Sequence, residues 1–264
     1  MNNEKVSIIV PNYNGEKFIK DTIDSVKKQS YQNWEMIIVD DCSTDGSPNI
    51  IKNLALQDER IKPFFLEKNS GRPAVPRNFA MKKATGKYIA FLDNDDLWHS
   101  KKLEYQVSIM KKTGISFTST RKIDFKDFEI PQNVEIKSLE NISLQKITHD
   151  RLLLKNIIPN SSVVVEKKLI DDMKFNVSMD YKAVEDNHMW LRLHQKIEYS
   201  LKLMEPLLFY RIVNTSISRS KLSMAKKTWN MLKEYEVNGE RLGWRRFYYF
   251  GSYIFYSLKE RIKI

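Results

Sequence analysis

The sequence predicts an α/β fold, a parallel sheet with helices on its faces and ligands gathered at the carboxyl ends of its strands. Three observations predict it. The first hundred residues alternate β-branched runs with helical patterns, in units of about 30 residues. Two of those runs end in clustered aspartates. At 264 residues, 42% hydrophobic and 29% charged, the chain is long and apolar enough to bury a sizeable core.

Val6–Val10, Glu35–Val39, Lys62–Leu66 and Tyr88–Leu92 read as strands, each a brief apolar run bounded by Pro, Asn, Asp or Gly. Between them, Phe18, Ile19, Ile23 and Val26 fall at helical spacing, as do Ile50, Ile51 and Leu54, then Phe79, Ala80 and Ala84. After Ser100 the pattern loosens. Lys101–Lys112 predicts a helix, Ile115–Thr118 and Ser161–Val165 strands, Lys182–Gln195 a helix, and Leu207–Ile212 a strand started by Pro206. Residues Arg121 to Thr148 mix polar and apolar types, take no assignment, and are expected to carry specificity.

With 44 Lys plus Arg against 33 Asp plus Glu, the net charge of +11 favours an anionic partner such as a nucleotide, a lipid surface or nucleic acid. Only 8 Gly and 8 Pro argue against a low-complexity chain. The single cysteine, Cys42, cannot form an intramolecular disulfide, so nothing asks for an oxidising compartment. Met1–Lys5 is polar and runs directly into a short apolar strand, unlike a signal peptide. No stretch approaches the ~20 apolar residues of a membrane span. A cytoplasmic address is expected. The sequons at Asn141, Asn160, Asn176 and Asn214 then read as chance matches.

Asp40, Asp41 and Asp45 follow the second predicted strand, and Asp93, Asp95 and Asp96 the fourth. Clustered carboxylates repel one another, and burying them is costly unless a cation or hydrogen-bond donors compensate. In extended chain Asp93 and Asp95 point the same way, and such oxygen ligands suit Mg2+ or Mn2+ bridging the protein to phosphates. The competing reading is loop and helix capping, which applies most readily to Asp45. Glu185-Asp186 opens another predicted helix, with Trp190 on the face of Asp186. A desolvated Asp there has the raised proton affinity of a general base, although an ordinary carboxylate at a helix start explains the same letters.

These motifs, in order, resemble glycosyltransferase family 2, the inverting nucleotide-sugar transferases of the GT-A fold. Val6-Ser7-Ile8-Ile9-Val10-Pro11-Asn12-Tyr13-Asn14 is similar to the family's opening strand, and Val39 to Ser47 to its base-binding turn. Asn69-Ser70-Gly71 with Arg77-Asn78 resembles the nucleotide-side segment, Phe91 to Trp98 the metal motif, and Glu185-Asp186 the catalytic pair. The resemblance implies a Rossmann-like mixed sheet flanked by helices, with a C-terminal helical extension. It divides the chain into a GT-A domain, 1–220, with nucleotide (1–100) and acceptor (101–220) halves, and a tail, 221–264. By that resemblance Pro11, Tyr13 and Asp41 hold the base, with Asp41 favoured over Asp40, and Arg77 lies near the nucleotide. Asp93 serves the ribose and the metal, Asp95 ligates Mn2+ or Mg2+, and Asp186 is the base. Tyr210-Arg211 with Ser216 and Ser218 resembles the family's late loop, where Arg211 would clamp the diphosphate; a surface arginine after a strand is the other reading. Departures are Cys42 where the family usually has Gly, and Pro76 before Arg77; both bear on loop geometry more than on chemistry. His188 and His194 suggest helix-surface histidines rather than zinc ligands, since no second Cys or tight His pair accompanies them.

Residues 221–264 carry ten Lys or Arg and four Glu, a net +6. Within them the uncharged run Phe247–Leu258 holds three Phe and four Tyr, flanked by Arg245-Arg246 and Lys259, Arg261 and Lys263. As a helix it would span roughly 18 Å, too short to cross a membrane but suited to lie on an anionic one through residues 241–264. Packing against the domain or a second copy is the alternative. The function expected is metal-dependent transfer of a hexosyl or N-acetylhexosaminyl group from a UDP-sugar to a polyprenyl-diphosphate-linked or other glycan acceptor, at the inner face of a bacterial membrane, in O-antigen, capsule or lipooligosaccharide synthesis. A sugar nucleotidyltransferase is less well matched, since Pro11-Asn12-Tyr13-Asn14-Gly15 has a single glycine where a phosphate loop needs several. A basic nucleic-acid-binding protein with structural acidic clusters is the third reading.

Overall fold

A computed structural model describes residues 4–126, 129–213 and 221–262. The first half alternates β1 (Val6–Asn12), α1 (Ile19–Lys27), β2 (Trp34–Asp40), α2 (Ser47–Gln57), β3 (Ile61–Phe65), α3 (Ala74–Lys83) and β4 (Tyr88–Phe91). These strands pair in parallel in the order β3-β2-β1-β4. Every residue of β1 and β2 is buried, as expected of strands covered on both faces. Ile9, Ile37 and Val39 face one core, and Ile8, Val10, Met36 and Ile38 the other.

The second half adds β5 (Leu97–Trp98), α4 (Lys102–Thr113), β6 (Phe117–Lys126), β7 (Leu144–Ile147), α5 (His149–Leu154), β8 (Val164–Glu166), α6 (Lys167–Ile170), α7 (Glu185–His194) and β9 (Ser200–Ile212). Here the sheet becomes mixed. β8 lies antiparallel between β4 and β6, β6 runs parallel to β9, and β9 also pairs antiparallel with β5 and β7.

Three boundaries differ from expectation for physical reasons. Pro206 lies inside β9 instead of starting a strand, because the register with β6 shifts around Arg121, opposite Pro206, and the irregularity accommodates the missing N–H. α7 begins at Glu185, not Lys182, because Ala183 adopts φ 78° and breaks the helix. The unassigned segment 121–148 supplies the outer part of β6 and β7, whose alternation is blurred by exposure.

The C-terminal region forms α8 (Lys221–Glu234), a hairpin of β10 (Glu236–Val237) and β11 (Glu240–Arg241), and α9 (Arg245–Ile262). Met231, Leu232, Tyr235 and Leu242 are buried in the same core as Met189, Trp190 and Leu193 of α7, so the region is joined to the core from α8 onward. α9 has two faces. Inward, Ser252 donates to the Leu154 carbonyl at 2.8 Å, and Phe250 meets Trp229 at 5.1 Å between ring centroids. Outward, Tyr248, Phe255 and Leu258, with Trp244 just before the helix, are all more than half exposed, at a helical repeat. Among the described residues no helix is long and apolar enough to cross a membrane.

At the amino ends of the strands, Glu35 is a buried carboxylate that accepts from Ser7 Oγ at 2.6 Å, from the Thr85 amide and hydroxyl at 2.7 Å each, and from Lys62. Burial alone would raise its pKa, but these donors hold it at about 2. The stabilisation is therefore present above the ordinary value of 4.5 and is lost as pH falls toward about 2. Glu35→Gln is expected to lower stability by about 2 kcal/mol at pH 7 and to flatten the acid limb of stability across that window, both measured by urea unfolding.

Candidate active site

The carboxylates gather on the loop between β4 and β5, and five elements hold that loop. Thr22 of α1 donates to the carbonyls of Asn94 at 2.9 Å and Asp96 at 3.0 Å. Asn94 Nδ2 donates to Asn12 Oδ1 at 2.8 Å, and the Asp93 amide donates to Ser161 Oγ at 3.1 Å. On β9, Arg211 Nε donates to the Asp95 carbonyl at 2.8 Å, while its amide donates to Asp96 Oδ1 at 3.0 Å. Trp98 Nε1 bonds the Ser161 carbonyl and closes the loop from below. Gly15 lies so close over the Asn12–Asn94 pair that a Cβ there would fall 2.2 Å from Asn12 Oδ1.

Arg77 of α3, 4% exposed, joins this loop to α7. Its Nη2 meets Asp93 Oδ1 at 2.6 Å and its Nη1 meets Glu185 Oε1 at 2.9 Å. Glu185 also accepts from the Ala183 amide, which fixes the turn before α7. Pro76 fits because it lies in the first turn of α3, where a missing amide costs little. Trp190 packs edge-on against Phe91, Phe117 and Phe175 and anchors α7 beneath Asp186. Burial first, then the Glu185 charge, push the Asp186 carboxyl up to about 7, against the pull of Arg77. Glu185, half of the expected catalytic pair, is thus a buried partner of Arg77, and Arg77 itself spans two carboxylates.

Asp93 and Asp95 are suited to a divalent ion as two arms, not as an enclosing cage. Asn160 Nδ2 also donates to Asp93 Oδ1, at 3.1 Å. Burial and the neighbouring Asp93 raise the Asp95 carboxyl to about 6, an electrostatic crowding that a cation would relieve. Among the described residues no group of three or more His, Cys, Asp or Glu could hold a metal. Two carboxylates fit Mg2+ or Mn2+ completed by substrate phosphates, and they do not fit a four-ligand zinc site. The histidines are not surface groups: His194 is buried between the Trp190 carbonyl (2.7 Å) and Ser200 Oγ (2.8 Å), and His188 packs its ring on Tyr181.

At the carboxyl ends of β1 and β2, the ladder pairs Pro11 with Val39 and Asn12 with Asp40, so Tyr13 and Asp41, expected to hold the base, emerge side by side. Pro11 is buried and Tyr13 is 50% exposed. Asp41 accepts from the Ser70 amide at 3.0 Å and its hydroxyl at 2.7 Å, which ties the turn to the Asn69-Ser70-Gly71 segment. Asp40, the last residue of β2, caps the turn that follows, accepting from Asn12 Nδ2 and from Ser43. Asp45 accepts from the Glu16 and Ser47 amides at the start of α2. Cys42 adopts φ 60°, the left-handed backbone that glycine occupies most easily.

Arg211 is not a surface arginine. Its side chain is fully buried, between the rings of Phe18 at 4.5 Å and Phe125 at 4.6 Å, with Nη2 3.6 Å from Asp21. It braces the Asp95–Asp96 backbone, and in this conformation it does not lie open over a diphosphate. Ser216 and Ser218 lie outside the described residues. Hollows of about 420 and 220 Å3 occur away from these carboxylates, beside Lys5, Thr85 and Lys87 and beside Asn78 and Ile170.

The family model described as glycosyl transferase family 2 matches residues 7–171. The chain is 38% identical over 231 residues to the putative teichuronic acid biosynthesis glycosyltransferase TuaG of Bacillus subtilis, covering 88% of each chain. It is 35% identical over 261 residues to an Escherichia coli protein, UDP-Glc:alpha-D-GlcNAc-diphosphoundecaprenol beta-1,3-glucosyltransferase WfgD, covering 98% of this chain and 96% of that one. Its fold matches S. aureus TarS 1-349 in complex with UDP-GlcNAc at a TM-score of 0.70 and 21% identity, covering 89% of this chain and 68% of that one.

Removing one partner of a buried ion pair leaves the other uncompensated. Arg77→Met is therefore expected to lose about 3 kcal/mol of stability, and adding Glu185→Gln is expected to restore part of that loss, read from urea unfolding of both variants.

Proposed function

The chain belongs to glycosyltransferase family 2, and on that premise we propose that it inverts a hexosyl group from a UDP-sugar, UDP-glucose first among them, onto a sugar carried by a lipid diphosphate. The family is enzymatic and its fold is GT-A, which sets aside a purely nucleic-acid-binding role. The name of WfgD supports the donor and the acceptor class, and the name of TuaG a bacterial surface polymer. The observation that carries the reading is the guanidinium of Arg77, shared between Asp93 and Glu185. It supports a donor diphosphate and an acceptor hydroxyl meeting in one cleft.

In this reading Asp41 accepts the ring N–H of uracil beside Pro11 and Tyr13. Asp93 and Asp95 would hold Mg2+ or Mn2+, which when bound offsets the charge of the diphosphate. Asp186 takes the proton of the acceptor hydroxyl, and its raised affinity, about 7, suits a base that must both capture and release a proton near neutrality. Arg77 and Arg211 act from behind, holding the carboxylates and their backbone in position. The outward stripe of α9, with exposed Arg245 and Lys259 at its ends, supports peripheral attachment to an anionic membrane.

Transfer from UDP-glucose to an alkyl-diphosphate-linked N-acetylglucosamine is the direct test. Chelation and Asp95→Ala are each expected to abolish it, and full activity under both would defeat the metal reading. Asp186→Asn should lower kcat by about 10^3-fold. The base works only when ionised, so kcat/KM should rise with pH and level off above about 7. Arg245→Glu with Lys259→Glu should weaken co-sedimentation with phosphatidylglycerol vesicles without changing transfer to a water-soluble acceptor; unaltered vesicle binding would count against the tail as the anchor.

A further inference from the structure

Five cations lie on or beside three elements distant in sequence, β6, α5 and β9. β6 contributes Arg121 and Lys122, α5 contributes Arg151 and is followed at its C-cap by Lys155, and β9 contributes Lys202. Arg121, Lys122 and Arg151 are exposed, while Lys202 is half-buried and donates to the Ile157 carbonyl at 2.8 Å. Burial, then the fields of Arg121, Arg151, Lys155 and Lys122, lower the Lys202 ammonium to about 8. The carbonyl that Lys202 meets is two residues beyond Lys155, and Arg121 lies two residues along β6 from Ser119, the ladder partner of Lys202. Asp124 pairs with Lys122 at 2.7 Å and Asp150 lies 3.8 Å from His149, so the charge of the group rests chiefly on Arg121, Arg151 and Lys202.

The surroundings of this cluster identify its ligand. At one end, Lys122 Nζ lies 4.0 Å over the ring of Tyr210, the residue before Arg211, whose amide and Nε bond Asp96 Oδ1 and the Asp95 carbonyl; the cluster therefore reaches toward the loop of aspartates. At the other end, Lys155 Nζ lies 5.0 Å over Tyr256 of α9, the helix with the outward aromatic stripe. Between them, Ser119 pairs with Lys202 across the ladder and has a buried hydroxyl with no hydrogen-bond partner. A ligand spanning this path would offer a hydroxyl to Asp186, then an anion, then a lipid chain. We propose that Arg121, Lys122, Arg151, Lys155 and Lys202 form the docking site for the acceptor's diphosphate. The proposal rests on the lipid-diphosphate acceptor of the preceding reading, and its chemistry is that of guanidinium and ammonium groups on phosphate oxygens.

The test uses the full-length chain in neutral detergent. Arg121→Ser with Arg151→Ser removes exposed cations at little risk to folding, and Lys202→Met forms a second variant. Decyl diphosphate should bind the wild type and bind each variant about 10-fold more weakly by calorimetry. KM for alkyl-diphosphate-linked N-acetylglucosamine should rise by a similar factor, with kcat and the KM for UDP-glucose unchanged. The same sugar on a neutral alkyl chain should be unaffected. No binding of decyl diphosphate to the wild type would overturn the proposal. So would a raised KM for the donor alone, which would assign the cluster to the nucleotide, or a loss confined to phosphatidylglycerol vesicles, which would assign it to headgroups. If neither acceptor receives sugar while decyl diphosphate binding still falls in the variants, the anion site stands and the acceptor reading fails.

Discussion

The site depends on one buried guanidinium. Arg77 is almost wholly removed from water, and its charge is tolerable there because Asp93 and Glu185 meet two of its amino groups. Those partners belong to different halves of the fold, Asp93 to the loop after β4 and Glu185 to the first turn of α7. Separating the halves would strand an arginine and a glutamate at low dielectric, so the ion pairs oppose their moving apart. Asp186, next in sequence to Glu185, inherits its position from this constraint and its high proton affinity from the same burial.

Around that constraint the loops are held by ordinary hydrogen bonds in unusual number. The loop carrying Asp93 to Asp96 is bonded from α1, β1, β9, α3 and the turn before β8, so its carboxylates cannot simply swing apart to relieve their repulsion. The turn after β2 behaves likewise, with Asp41 bonded to Ser70 and Asp40 to Asn12 and Ser43. Cys42 accepts a left-handed backbone at modest cost because its neighbours on both sides are fixed.

The C-terminal region follows a different logic. α8 and the hairpin are part of the core through Met231, Leu232, Tyr235 and Leu242, whereas α9 divides its aromatic residues between an inner packed face and an outer solvent-facing one. The uncharged run from Phe247 to Leu258 therefore packs on the domain along one side of the helix, as one expectation had it, and leaves exposed apolar residues along the other.

Much was legible in the sequence because its signals are local. Runs of four to seven largely apolar residues mark β1, β2 and β4 whatever their partners, and aspartates just past a strand end must lie at the carboxyl edge of the sheet. The boundaries of β9 and α7 were not legible, since they turn on a register shift opposite Pro206 and on the backbone of Ala183. Nor could spacing show that Arg211 would be buried or His194 enclosed, because burial of a polar side chain depends on which distant groups arrive to bond it. The sequence by itself determined the α/β class, the order of the motifs and the excess of positive charge. Only the tertiary structure decided that residues 77, 93 and 185 share one ion-pair network, and that five cations on or beside β6, α5 and β9 come together, because contacts between elements far apart in the chain arise from packing and leave no periodicity to read.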